Sequence, residues 1–459
     1  MDVAKKLLSE GRAEEALERL KSLLPTVEPN EQWRVHELIG AAFHDLAEPD
    51  GAAQAYFNAA QSDRYLRAQR QHCSNYLFAL HYLPRVSNDD LAAEHFIYDS
   101  LFRDVEPIDR IENRRDKISI GYLANDFLDG AAARFYEALL TLCDRRNFYV
   151  MCFSLSSAED AFTVKIKNAV DEFITVDTKN IEGAARKIAS HGLDILFDLG
   201  GHSDGGLTLQ LTAYRLAPIQ ITGIGWLDTT GLKAIDYILT DNFLTPLSDE
   251  KYFVEKFLSV SHALVFTPNM IADNRIEHST VTFGCFNNFM KITDDYLECV
   301  AEILERVPGS RLIMQDTTGT EARRRRMTER VRDILPTERI EIRSGRDGYL
   351  DDYADIDLML DTFPYNGGAM TATALCMGVP VIGLRGDRYG ARFGADILRA
   401  AGLDEFIVDN EKNFIERAIE LANECPIDII DRLKGSALLD TKKFVADVEK
   451  KFIDAVAGV

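Results

Sequence analysis

The densest set of residues suited to binding an anion lies in Asp361–Leu384, which reads DTFPYNGGAMTATALCMGVPVIGL. A strand ends at Asp361, Pro364 breaks the chain, and Asn366-Gly367-Gly368 turns it into a helix starting near Ala369. Glycines let a ligand approach bare backbone, and a helix N-terminus offers unpaired N–H groups and partial positive charge. A diphosphate suits such a corner, and Thr371 and Thr373 add hydroxyls on the first turn. A plain strand–helix turn also uses Asn-Gly, so the motif by itself leaves both readings open.

A second group is Phe286-Asn287-Asn288-Phe289-Met290-Lys291, directly after another strand. A loop lysine is often merely solvated. At a sheet's carboxyl end, opposite a phosphate-binding helix, Lys291 becomes a candidate to neutralise a leaving diphosphate. Earlier in the chain, strands close on Tyr122-Leu123-Ala124-Asn125-Asp126-Phe127, on Asp198-Leu199-Gly200-Gly201-His202 and on Gly223-Ile224-Gly225-Trp226. His202 has the chemistry of a general base or a substrate hydrogen bond, although a histidine in a glycine-rich turn is as often structural. No DxD motif stands at a strand end, and Asp351, Asp352, Asp355 and Asp357 read as solvated or capping carboxylates. No metal or other resident cofactor is expected. The run Arg323–Arg326, with Glu321 and Glu329 beside it, reads as a solvated helix face.

These loops need a scaffold, and the apolar patterning supplies one. Ile118–Ala124, Tyr149–Leu155, Phe173–Val176, Ile195–Leu199, Ile219–Ile224 and Tyr237–Thr240 read as buried strands, with helical periodicity at 131–144 and 180–190. After a connection near 245–280 the series resumes with strands at Thr282–Phe286, Arg311–Met314, Ile340–Ile342, Leu358–Leu360 and Val379–Leu384. Its helices are expected at 293–306, 319–334 and 371–377. Such alternation makes parallel sheets covered on both faces, here two doubly wound halves with a cleft between them. Residues 1–115 are helix-rich, and Ala16, Leu20 and Leu23 recur at a constant offset as Ala52, Tyr56 and Ala59. Gly40 and Phe43 supply the small residue and aromatic knob of a tetratricopeptide-like pair. Two repeats fall short of the about three a free solenoid needs, so the segment must pack on the rest of the chain or on another protein, a second copy included. The boundaries expected are 1–115 for the helical cap, 116–270 for the first Rossmann-like half and 271–459 for the second.

The formal net charge of −22 excludes generic nucleic-acid binding, because a phosphate backbone demands a basic face. The opening MDVAKKLLSEGRAEEAL lacks a signal peptide's apolar core, and no apolar run reaches the about 18 residues of a membrane span. A cytoplasmic protein with no membrane association is therefore expected. The 7 cysteines form no CxxC pair and read as inert core thiols rather than as a zinc site or disulfide framework.

Taken together, IGYLANDF, DLGGHSDGG, APIQITGIGWLDTTGLKAIDYILTD, FGCFNNFMKI, ILERVPGSRL, LDTFPYNGG and GVPVIGLRGDRYGARFGADIL resemble, in order over roughly residues 117–425, the protein O-GlcNAc transferase family with its SPINDLY-like and bacterial members. The resemblance implies an α/β fold of GT-B type: two tandem doubly wound Rossmann-like domains with a central cleft, after an α-helical repeat segment. It implies inverting transfer of a sugar, usually GlcNAc from UDP-GlcNAc, to Ser or Thr of a protein, with flagellin or another bacterial surface protein as a suggested acceptor. By the same resemblance Lys291 stabilises the diphosphate leaving group, Asn288 supplies an amide, and Arg346 and Tyr349 lie near uracil and ribose. Asn366, Gly367 and Gly368 form the phosphate turn. Where bacterial relatives read YNGGTTTCDALWMG, this chain has Ala369, Met370 and, in place of the ribose-binding aspartate, Thr373. The family histidines near the acceptor fall on Gly130 and Arg134, leaving Asp126, His202, a water chain or the donor phosphate as base. Two alternatives follow from these departures: the same fold with another nucleotide sugar, or a non-catalytic partner of an active transferase.

Overall fold

Short β-branched and aromatic runs followed by amphipathic helices bury both sheet faces through parallel crossovers, and the strands described after residue 117 all pair in parallel. The computed structural model describes residues 1–272, 276, 278–316, 319–345, 348–423 and 428–458. The first sheet contains β1 (Ile118–Ala124), β2 (Phe148–Ser154), β3 (Glu172–Thr175), β4 (Ile195–Asp198), β5 (Ile219–Thr222), β6 (Tyr237–Thr240) and β7 (Lys256–Ser259). Its order is β3-β2-β1-β4-β5-β6-β7, with every pair parallel. The second contains β8 (Thr282–Phe286), β9 (Arg311–Asp316), β10 (Ile340–Ser344), β11 (Leu358–Leu360), β12 (Val381–Leu384) and β13 (Ile407–Val408), in the order β10-β9-β8-β11-β12-β13 and again all parallel. The expected strands and helices all form, with ends shifted by a few residues. β7 and β13 were absent from the expected set. Both are sheet edges; β7 buries only Leu258 and β13 is two residues long, so neither carries the apolar run that marks a central strand.

The chain folds as two compact units. One contains residues 65–78, 87–267 and 440–459 and is built on the first sheet. Leu123, Met151, Phe153 and Leu196 from its strands meet Ala184, Ala185 and Ile188 of the helix Ile181–Ala189, whose apolar residues recur at helical spacing below the Asn180 cap. The last helix, Thr441–Ala457, belongs to this unit and sets Phe452 edge-on against Phe197 of β4. The other unit, residues 1–64, 79–86 and 268–439, is built on the second sheet. The first sheet lies within residues 118–259 and the second within 282–408, whereas the N-terminal helices and the last helix are shared out between the units.

In the second unit the helices Asp2–Ser9, Ala13–Leu23, Gln32–Asp45 and Pro49–Ser62 share a core of Ala4, Leu17, Leu20, Val35, Ile39, Ala42 and Ala55. That core also takes in Ala322 of the helix Glu321–Arg332. The repeat residues act as expected: a Cβ on Gly40 would lie 2.5 Å from the Tyr56 ring, and one on Gly51 would lie 2.6 Å from the Phe43 ring. The reciprocal glycine-under-aromatic fit lets the two helices approach. Among the described residues no helix is long and apolar enough to cross a membrane.

Because Tyr56 can yield only by opening this packed pair, Gly40→Val is expected to lower unfolding stability by about 1–3 kcal/mol. A denaturant melt that matches wild type would contradict the packing account.

Candidate functional site

β11 delivers Asp361 to the interior of the second unit, where its carboxylate is fully buried. Oδ1 accepts the Gly367 N–H at 2.7 Å, the Thr362 N–H at 2.8 Å and Asn287 Nδ2 at 3.2 Å, and Oδ2 accepts the Thr371 hydroxyl at 3.2 Å. A carboxylate this enclosed leaves no room for side chains around it. A Cβ on Gly367 would stand 2.7 Å from Asp361 Oδ1, and one on Gly394 would stand 2.2 Å from Oδ2. Burial pushes the Asp361 carboxyl up to about 6, against the pull of its hydrogen bonds and of the Lys291 charge.

The turn closed by Asp361 is the Asn-Gly-Gly motif. Asn366 is buried and donates Nδ2 to the carbonyls of Thr362 at 2.8 Å and Leu384 at 3.2 Å, while the helix Ala369–Cys376 starts after Gly368. The outward-facing amides of a first helical turn have no intrahelical acceptor and carry the positive end of the dipole. The carbonyl of Asn366 receives Lys291 Nζ at 2.8 Å, and the same ammonium sits 3.9 Å from the centroid of the Tyr365 ring. Tyr365 is in turn backed by Tyr82, with ring centroids 5.2 Å apart. Burial pulls the Lys291 ammonium down to about 8, with Asp361 opposing the fall, so lysine remains the cation at neutral pH.

Lys291 ends the short 3-10 turn Phe289–Lys291, capped by Asn288, whose Oδ1 accepts the Met290 N–H at 2.9 Å. β8 and β11 are adjacent, and the strand order reverses between them. The ammonium and the helix N-terminus therefore meet at the carboxyl ends of two strands flanking the switch point, where open α/β sheets bind ligands. One full positive charge beside a row of amides has the chemistry that suits a diphosphate.

The remaining expected residues fall as follows. Thr371 turns its hydroxyl onto Asp361, and Thr373 is buried in the same helix. Half-buried Tyr349 opens the 3-10 turn Tyr349–Asp355. Arg346 lies outside the described residues. In the first unit Asp126, half-buried after β1, accepts the Leu128 N–H at 3.1 Å. His202 is fully buried, with Nδ1 2.9 Å from Ser74 Oγ and Nε2 2.9 Å from the Thr230 carbonyl. The carbonyl can only accept, so Nε2 carries the proton. A base role for His202 would have to break one of these bonds, and burial also holds its imidazole well below the usual range. Gly130 is exposed, and a Cβ there would meet nothing nearer than the Leu128 carbonyl at 4.0 Å, so no packing demand requires glycine there. The acidic residues near 351–357 serve as acceptors: Asp352 for Gln315, Asp355 for Arg343 and Asp357 for the Thr282 N–H. Asp361, Asn287 and Tyr365 were not singled out as site residues; the only sequence signal was a carboxylate at a strand end before the turn.

The ordinary lysine value is about 10.4, and the site holds Lys291 near 8. Binding of inorganic pyrophosphate to the free protein is therefore expected to be strong below pH 8 and to weaken as pH rises through about 8. Calorimetry across pH 6.5–9.5, about three units around the midpoint, checks this, and an affinity independent of pH would contradict it.

The sequence profile of glycosyl transferase family 41 matches residues 104–271 and 259–448. The probable UDP-N-acetylglucosamine–peptide N-acetylglucosaminyltransferase SPINDLY of Petunia hybrida is 29% identical over 407 residues, covering 82% of this chain and 43% of that protein. Its counterpart in Eustoma exaltatum subsp. russellianum is 30% identical over 404 residues, with coverage of 82% and 43%. The chain thus spans less than half the length of these relatives. Among solved structures, a mutant of the Thermobaculum terrenum O-GlcNAc transferase superposes with a TM-score of 0.87 at 24% identity, covering 98% of this chain and 89% of that one. A sucrose-phosphate synthase from Thermosynechococcus elongatus shares the fold more distantly, at 12% identity and a TM-score of 0.51, over 75% of this chain and 100% of that one. These likenesses identify the tandem sheets as a GT-B type fold with a helical N-terminal part. With the profile covering most of its length, the chain belongs to glycosyl transferase family 41.

Proposed function

We propose that this protein is an inverting glycosyltransferase that moves GlcNAc from UDP-GlcNAc onto a Ser or Thr hydroxyl of a protein. The observation that carries the reading is the Lys291 ammonium held 2.8 Å from the Asn366 carbonyl, beside the N-terminus of the helix Ala369–Cys376. The names of the plant relatives, peptide N-acetylglucosaminyltransferases, supply the donor and the acceptor class. In the reaction the acceptor oxygen bonds to the anomeric carbon, the bond from that carbon to the diphosphate oxygen breaks, and UDP leaves with the electron pair. Lys291 and the helix end meet that developing charge. The hydroxyl proton passes to a base, for which accessible Asp126 is better suited than His202, whose ring nitrogens are both engaged. No resident cofactor is invoked, because the protein itself supplies the counter-charge.

Asn288, Tyr349 and Arg346 complete the proposed nucleotide side together with Asn366, Gly367, Gly368, Thr371 and Thr373. The proposed setting is the cytoplasm, with flagellin or another surface-destined protein as acceptor. A second reading within the fold is a different nucleotide sugar. It is favoured by Thr373, a short side chain that offers one hydroxyl where a carboxylate could receive two.

Lys291→Ala is expected to keep the fold and to lower sugar transfer by about 10²-fold or more, the scale of losing one preorganised charge donor. Transfer read by intact-mass spectrometry of an acceptor protein decides this, and full activity in the variant would sink the mechanism. Asp126→Asn should lower kcat by about 10²–10⁴-fold with donor binding retained; an unchanged kcat removes Asp126 as the base. A calorimetric screen of UDP- against GDP-sugars separates the two donor readings.

A further inference from the structure

The arginine run on the helix Glu321–Arg332 is only in part the solvated face its sequence suggests. Arg325 and Arg326 are exposed and pair with Glu14 and Glu48 of the N-terminal helices, and Arg324 pairs with Glu321 of its own helix. Arg323 points the other way and is 3% exposed. Its Nη2 donates to Asn288 Oδ1 at 2.8 Å, and its Nε lies 3.2 Å from Asp316 Oδ2, on a carboxylate buried at the end of β9.

Those two acceptor oxygens also hold the backbone leading into Lys291. Asp316 Oδ2 accepts the Phe289 N–H at 3.3 Å, and Asn288 Oδ1 accepts the Met290 N–H at 2.9 Å. One guanidinium, hydrogen-bonded to Asn288 and ion-paired with Asp316, lies against both acceptors and so ties together the two amides that aim residue 291. A lysine, as a single point charge, could not span them. The helix bearing Arg323 is itself located from its far side, by Ala322 in the core of the N-terminal helices and by the Arg325 and Arg326 ion pairs.

We propose that Arg323 is the positioning residue for Lys291: through Asn288 and Asp316 it holds the turn that presents the ammonium to the Asn-Gly-Gly corner. Through this helix the N-terminal helices serve as a structural part of the donor-side apparatus. The consequence for sugar transfer rests on the function proposed above; the consequence for the state of Lys291 does not.

The test is the pH midpoint of Lys291 acetylation by acetic anhydride in the full chain, read by peptide mass spectrometry beside transfer kinetics. Wild type should titrate near 8. In the paired variant Arg323→Met with Asp316→Asn, which removes both buried charges together, the loosened ammonium regains water. Its midpoint should rise by about one unit or more toward the ordinary lysine value near 10.4, and kcat should fall about ten-fold or more with the acceptor KM unchanged. Arg323→Lys, which keeps the charge but not the fork, should shift the midpoint in the same direction and serves if the paired variant does not fold. Arg324→Gln should behave as wild type. A midpoint that stays with wild type in the Arg323 variants overturns the proposal whatever the transfer rate. If wild type itself transfers no sugar, the proposed function fails while the midpoint still decides the role of Arg323.

Discussion

The second unit depends on one buried carboxylate. Asp361 stands at the end of β11 and gathers the Gly367 and Thr362 amides, the Asn287 amide group and the Thr371 hydroxyl around two oxygens. An unpaired charge at that depth would be very costly, so the surrounding donors are obligatory. Their geometry dictates the path of the chain: the turn must fold back over the carboxylate, and Gly367 and Gly394 must lack side chains for it to do so. The helix Ala369–Cys376 starts where it does because the turn ends there.

From that arrangement the electrostatics of the site follow. Enclosure destabilises the charged forms of both neighbours, raising the carboxyl of Asp361 to about 6 and lowering the ammonium of Lys291 to about 8. Each partner's charge resists the other's shift, so around neutral pH both stay ionised. The lysine is held by a backbone carbonyl and an aromatic face, neither of which cancels its charge. An ammonium so placed keeps its attraction for an incoming anion, and preorganisation of this kind costs little reorganisation when negative charge develops.

The two sheets were legible because parallel strands buried on both faces are written as continuous apolar runs, and because helices such as Ile181–Ala189 announce themselves through spacing and an Asn cap. The edge strands β7 and β13 escaped notice since an edge buries little and needs no such run. Gly40 and Phe43 were recognisable because a tetratricopeptide-like helix pair needs a small residue and an aromatic knob at those places. Arg323 was not: in sequence it is one of four adjacent arginines, and only the helix rotation turns it inward while Arg325 and Arg326 face the N-terminal helices. His202 looked equally suited to base and scaffold, and its burial between Ser74 and Thr230 is a property of residues far away in the chain.

Local pattern alone therefore determined the α/β class of the fold, the two sheets and the turn at Asn366-Gly367-Gly368, and it marked Lys291 as a candidate counter-charge. Periodicity, propensity and turn preference act over a few residues, and these features need nothing more. Which groups meet was decided by the tertiary structure. Lys291 finds the Asn366 carbonyl across 75 positions, Asn287 finds Asp361 across 74, and Arg323 finds Asn288 across 35. Such encounters, and the shifts in protonation that accompany them, depend on how β8, β9 and β11 line up side by side. That alignment is set by packing over the whole sheet, not by the residues on either side of each group.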